Sequence, residues 1–146
     1  MGIRLSEEYL ERLTCPSDAL GLAELQSTVQ VPRSFDCQLL SYGLPDSIFF
    51  FETLNWLSQS VRSGAWTYFE SVPEYRAFAL AHLMSLMDEA EIAAKYRFCI
   101  GNWAIAADMQ CIDDWVRDRE DSHDAWLCEF VRLHQGEFRA LLASAS

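Results

Sequence analysis

Close-spaced cysteine pairs are missing from this sequence. Its five cysteines, Cys15, Cys37, Cys99, Cys111 and Cys128, are odd in number and never spaced C-x-x-C, whereas zinc sites usually present such pairs. It also lacks a glycine-rich phosphate loop, a G-x-S-x-G elbow and the repeated Glu-x-x-His of di-iron bundles. Phosphate-cradling, serine-hydrolase and di-iron chemistry are therefore without their usual residues, and no cofactor or metal is expected. Basic residues are scarce: 11 Lys and Arg face 22 Asp and Glu, for a net charge of −11. Such a surplus disfavours direct binding to nucleic acid or anionic membranes and favours encounter with basic partners. No stretch approaches the roughly 18 apolar residues of a membrane span.

The first residues lack a signal-peptide pattern, because only Arg4 is basic and Glu7 and Glu8 follow at once. Met1 to Ser6 fits the N-myristoylation pattern. Ser6 before Glu7 and Glu8 reads better as a helix N-cap with acids in the first turn, and no basic cluster follows as a second anchor. Reduced thiols packed as small apolar groups, in a cytoplasmic chain, are the expectation.

What the chain has in quantity is apolar and aromatic material, 51% and 13% of 146 residues. That is enough for the core of one ordinary domain. Helix signals recur between clear breaks. The pattern predicts a helix from Ser6 to Leu13, closed by Cys15-Pro16, and a second capped by Asp18 and running to about Thr28. Phe35 to Tyr42 is a short ambiguous segment. A stronger helix starts in the turn of Pro45 and ends with Gly64 at its C′ position, with Ile48, Phe51, Leu54, Trp56 or Leu57, and Val61 at helical spacing. Phe49 and Phe50 broaden its apolar surface, which suits a central helix.

Ser71-Val72-Pro73-Glu74 reads as a capping box for a helix through Tyr75, Phe78, Leu80 or His82, Leu83 and Leu86. Asp88-Glu89-Ala90-Glu91 reads as another, leading through Ile92, Tyr96 and Cys99 to a break near Gly101-Asn102. The period resumes from Trp103 to Val116. Arg119 to His123 reads as a loop, and a last helix runs from Trp126 to Leu142, weakened by Gly136. No strand pattern competes. The expectation is an all-α, single-domain bundle of six or seven helices over residues 1–146.

The densest polar set is Asp108, Asp113, Asp114, Asp118, Glu120, Asp121, Asp124 and Glu129, interrupted only by Arg117 and Arg119. A solvated face, a surface for a basic partner and an acid–base or metal site all fit such a set. Asp121-Ser122-His123-Asp124 lacks the glycine and terminal Glu of an EF-hand loop. Charge complementarity accelerates association, and Trp115 and Trp126, if exposed, would serve as interface anchors. His82, within an apolar helix, reads as a hydrogen-bonded residue at the core edge.

The segment Val61 to Ser71 is the most distinctive. Its aromatics read as a core plug or as a binding hot spot. Val61, Gly64, Trp66, Phe69 and Ser71 resemble the motif V-N-N-G-G-F-x-Q-[YF]-F-x-N-S of a family of small acidic helical proteins that includes DNA-mimic and immunity-type inhibitors. Arg62, Ser63 and Ala65 depart from it, and the spacing through Tyr68-Phe69 is shorter. The resemblance implies a DNA mimic or an immunity-type inhibitor. Together these readings point to a non-catalytic inhibitor that occludes a basic, nucleic-acid-handling protein such as a nuclease toxin or a DNA-binding protein. An anti-defence protein would carry the same features, and a homodimer is compatible with them. A small helical enzyme using His82 or His123, or a structural or adaptor subunit, is the competing expectation.

Overall fold

Ser6 shows how directly the local sequence sets the helices. Its Oγ accepts the Tyr9 amide at 3.2 Å and opens α1, Glu7–Thr14. In the same way Asp18 Oδ1 accepts the Gly21 amide at 2.9 Å in the first turn of α2, Ala19–Thr28. These are the N-caps expected from sequence, each meeting a backbone donor that the helix cannot satisfy itself. The computed structural model describes residues 6–28, 45–85 and 90–145, without the side chains of 45–49, 83, 141 and 143–145. The segment Phe35 to Tyr42, Cys37 and the Asp88-Glu89 cap lie outside the described residues.

Among the described residues there are nine helices and no strand, so the class is all-α and the count exceeds the six or seven expected. No helix among them is long and apolar enough to cross a membrane. After α1 and α2 come α3 (Pro45–Arg62), α4 (Ala65–Ser71), α5 (Glu74–Ser85), α6 (Ala90–Asn102), α7 (Ala106–Asp118), α8 (Glu120–Leu133) and α9 (Gln135–Ala145). They form two compact units, one of α1, α2, α8 and α9 and one of α3 to α7.

Two differences account for the larger count. Val61 to Ser71 is not a plain connection: Gly64 ends α3 and a separate helix, α4, begins at Ala65. The last predicted helix is two, because the chain turns at His134 before α9 starts. Two boundaries also shift. Arg119 alone separates α7 from α8, so the predicted loop to His123 is helical and His123 is buried. Ser71 does not cap α5. Its Oγ donates to the Tyr68 carbonyl at 2.9 Å and closes α4.

In the first unit, Leu13, Leu22, Leu25, Leu127, Phe130, Val131, Phe138 and Leu142 are buried. Polar bonds tie the helices at their edges. Gln135 Nε2 donates to Thr14 Oγ1 at 3.0 Å, Arg132 Nη2 to the Pro16 carbonyl at 3.2 Å, and Arg139 pairs with Glu7 at 3.0 Å.

The second unit is organised by α3, which packs against α4, α5 and α7. Phe50, Phe51, Leu54, Trp56 and Leu57 are buried, which fits the central position expected from its broad apolar surface. Around Trp56 the rings of Phe69, Tyr96 and Trp115 gather, the last stacked at 6.2 Å with a 27° tilt.

Glu52 is a buried acid within this apolar set. Its Oε1 pairs with Arg76 of α5, and its Oε2 accepts the Tyr68 hydroxyl of α4 at 2.8 Å. Tyr68 Oη lies 3.0 Å from Tyr96 Oη of α6. A buried carboxylate costs several kcal/mol unless it is paired and hydrogen-bonded. Here it is both, and the network joins four helices.

Candidate partner-binding surface

The turn between α3 and α4 shapes the surface. Gly64 has φ +102°, where a side chain is strained. A Cβ there would also stand 3.0 Å from Trp66 Cδ1 and 3.4 Å from Asp113 Oδ2. Glycine thus admits an indole and a carboxylate on the same spot. Thr67 Oγ1 donates to the Gly64 carbonyl at 2.7 Å, and Gln59 Nε2 reaches Thr67 Oγ1 at 3.1 Å, which fixes the turn. A helix that begins at Ala65 turns Ala65, Tyr68 and Phe69 inward and leaves Trp66 45% exposed. The aromatics of this segment therefore divide: Tyr68 and Phe69 are core, and Trp66 is surface.

Opposite Trp66 runs α7. Asp113 Oδ1 accepts the Ala65 amide at 2.8 Å, linking the start of α4 to α7. Between them a groove of about 480 Å³ opens to solvent, lined by Trp66, Trp103, Met109, Gln110, Asp113 and the alanines at 104 and 106. Its α7 residues recur at helical spacing from Ala106 through Met109 and Gln110 to Asp113, one stripe of the helix.

The acidic set is brought together only in part. On α7, Met109, Ile112, Trp115 and Val116 face the core. Asp114 and Asp118, four residues apart, lie on the opposite, exposed side, while Asp108 and Asp113 flank the buried stripe and are half-buried. Glu120 and Asp121 are exposed at the start of α8, and Asp124 is half-buried one turn later. Glu129 is drawn to Arg132 at 3.2 Å. Of the two bases in the cluster, Arg119 turns to Glu91 at 3.6 Å and lies 5.8 Å from the Trp115 ring. Among the described residues no cation pairs with Asp108, Asp113, Asp114 or Asp118. Asp114 and Asp118 therefore leave their charge to the solvent side.

Trp115 is corrected from an exposed anchor to a core residue. It is 7% exposed, stacks on Trp56, and its Nε1 donates to Glu91 Oε1 at 2.7 Å. Trp126 is half-buried, its ring 5.7 Å from that of Phe130. His82 is exposed on α5, because the inward positions of that helix are Ala77, Leu80, Ala81 and Met84. His123 is buried in α8. Neither histidine lines the groove. Among the described residues no group of His, Cys, Asp and Glu is arranged to hold a metal ion.

Burial sets the ionisation of the core groups near the site. It is the first cause that raises the Tyr68 and Tyr96 hydroxyls well above their ordinary range. It also pushes the Cys99 thiol up to about 12, with Asp113 adding to the rise. Cys99 is thus a neutral, unreactive thiol at neutral pH. Trp66 and Trp103 are the residues that sequence reasoning missed as groove walls. The signal for Trp66 was the phase of α4, which follows once the helix starts at Ala65.

Compared with family models, curated proteins and solved structures, the chain matches none.

Proposed function

We propose that this chain is a non-catalytic acidic binding protein that inhibits a basic, nucleic-acid-handling protein by occluding it. The observation that carries the reading is the unneutralised carboxylate surface of α7 beside an open groove with an exposed tryptophan. Asp114 and Asp118 supply long-range attraction, effective over roughly 8 Å at physiological salt, and this speeds the encounter. Aromatic side chains in a shielded patch supply the short-range contact that slows dissociation. The resemblance around Val61 to Ser71 supports the same class of role.

The test is capture from the native host with the wild-type chain and with the Asp114→Asn/Asp118→Asn variant, followed by assay of the captured protein's nucleic-acid binding or cleavage. The expected result is a basic partner whose activity is lost when the chain is added in stoichiometric amount. Association should be several-fold slower for the variant at low salt, with the gap closing as salt rises. A partner that is not basic, or one whose activity is untouched by the bound chain, would sink the proposal.

A further inference from the structure

The groove between α4 and α7 has a chemistry more specific than attraction to positive charge. Its walls are the Trp66 and Trp103 rings and its apolar lining includes Met109, Ala104 and Ala106, while Gln110 and Asp113 are its polar lining residues. Asp113 uses Oδ1 on the Ala65 amide, and Oδ2 has no donor among the described residues. Gln110 Nε2 donates to Asp114 Oδ1 at 2.9 Å. A carboxylate only accepts, so the amide nitrogen is the end turned to Asp114, and Gln110 Oε1 remains an acceptor. The groove therefore combines two tryptophans, exposed alanines and, three residues apart on one helix, an amide and a carboxylate. Its volume of about 480 Å³ falls within the roughly 300–1,000 Å³ of ordinary ligand sites.

We infer that this groove receives an arginine side chain of the partner protein. The inference rests on the proposed function and names the group that the acidic surface would deliver. An aliphatic stem suits the exposed alanines at 104 and 106. The guanidinium is planar, stacks on indole and offers several N–H groups in a fork, which suits two tryptophans beside the Asp113 carboxylate. A lysine ammonium is more strongly hydrated and does not stack in this way. The net charge of −11 and the unpaired carboxylates of α7 complement a cationic occupant.

The probe is an acetylated, amidated hexa-arginine peptide, compared with hexa-lysine and with hexa-citrulline, which keeps the shape and loses the charge. Binding is read from the indole N–H signals in proton–nitrogen NMR spectra, assigned with Trp66→Phe and Trp103→Phe. Hexa-arginine should move the Trp66 and Trp103 signals saturably, hexa-lysine more weakly, and hexa-citrulline not at all. Asp113→Asn keeps an oxygen for the Ala65 amide and should weaken hexa-arginine binding about tenfold, the loss of one charge-assisted hydrogen bond. Trp66→Ala, at an exposed position, should weaken it as well while the helical spectrum is kept.

Salt-sensitive binding that leaves the Trp66 and Trp103 signals unmoved, or equal affinity for arginine and lysine, would overturn the groove and leave the acidic-surface reading intact. Conversely, groove shifts with hexa-arginine whose association rate at low salt is the same in wild type and Asp114→Asn/Asp118→Asn would overturn the steering role and leave the groove. An absence of any binding at low salt would overturn both.

Discussion

Tyr68 and Glu52, sixteen positions apart, meet in the core through a 2.8 Å hydrogen bond from hydroxyl to carboxylate. Because Glu52 is also paired with Arg76, the bond belongs to a charged network and is stronger than a neutral one. Tyr68→Phe keeps the ring and removes the donor. It should destabilise the fold by about 1–3 kcal/mol, seen as a lower urea midpoint with an unchanged slope. Arg76→Ala should cost more, on the order of 3 kcal/mol, since it leaves a buried carboxylate without its cation. A Tyr68→Phe protein as stable as wild type would mean that the network contributes nothing net.

Alkaline pH should act on the same core. Tyr68 and Tyr96 are raised by burial, and Cys99 is raised to about 12. Groups with raised pKa values stabilise fully below their unfolded values, about 8.5 for cysteine and 10 for tyrosine, and the contribution is lost as pH climbs toward the folded values. Stability should thus decline from about pH 9 upward. Cys99→Ala should flatten the lower part of the decline and Tyr68→Phe the upper part. Urea midpoints measured across that range would check it, and a flat profile would contradict the assignment.

Gly64→Ala should destabilise the unit by about 1–3 kcal/mol, because the backbone conformation there is nearly exclusive to glycine. The added Cβ also crowds Trp66 Cδ1. The variant should accordingly shift the Trp66 indole signal even where the protein remains folded. Thermal unfolding and the NMR spectrum test the two effects separately.

Much of the fold was legible because its cues are local. Ser6, Asp18 and Gly64 each act on a backbone group within a few residues, and such cues survive in a bare sequence. The phase of α5 was not legible in the same way. Apolar residues occupy so many of its positions that the outward Tyr75 and Phe78 look as suitable for the core as the inward Ala77 and Leu80. Glu52 carries a signal in the sequence: an acid one turn before Trp56, directly after the apolar run Ile48 to Phe51. Its partners Tyr68, Arg76 and Tyr96 could not be named, since pairing across helices depends on how they pack. Of the acidic site, charge was readable but its distribution was not. Arg119, which interrupts the acidic set in the chain, serves Glu91 on another helix.

The five tryptophans fall into different surroundings, and this gives the protein its own optical readout. Trp56 is fully buried and stacked on Trp115, whereas Trp66 stands 45% exposed at the groove. Emission from the buried pair should be blue-shifted and indifferent to quenchers dissolved in water, while that from Trp66 should be redder and readily quenched. Caesium, a cationic quencher, would be concentrated by the acidic surface, and iodide would be repelled. The change in the ratio of the two quenching constants between wild type and Trp66→Phe therefore reports the local potential at Trp66, and an occupant over Trp66 would reduce quenching by both.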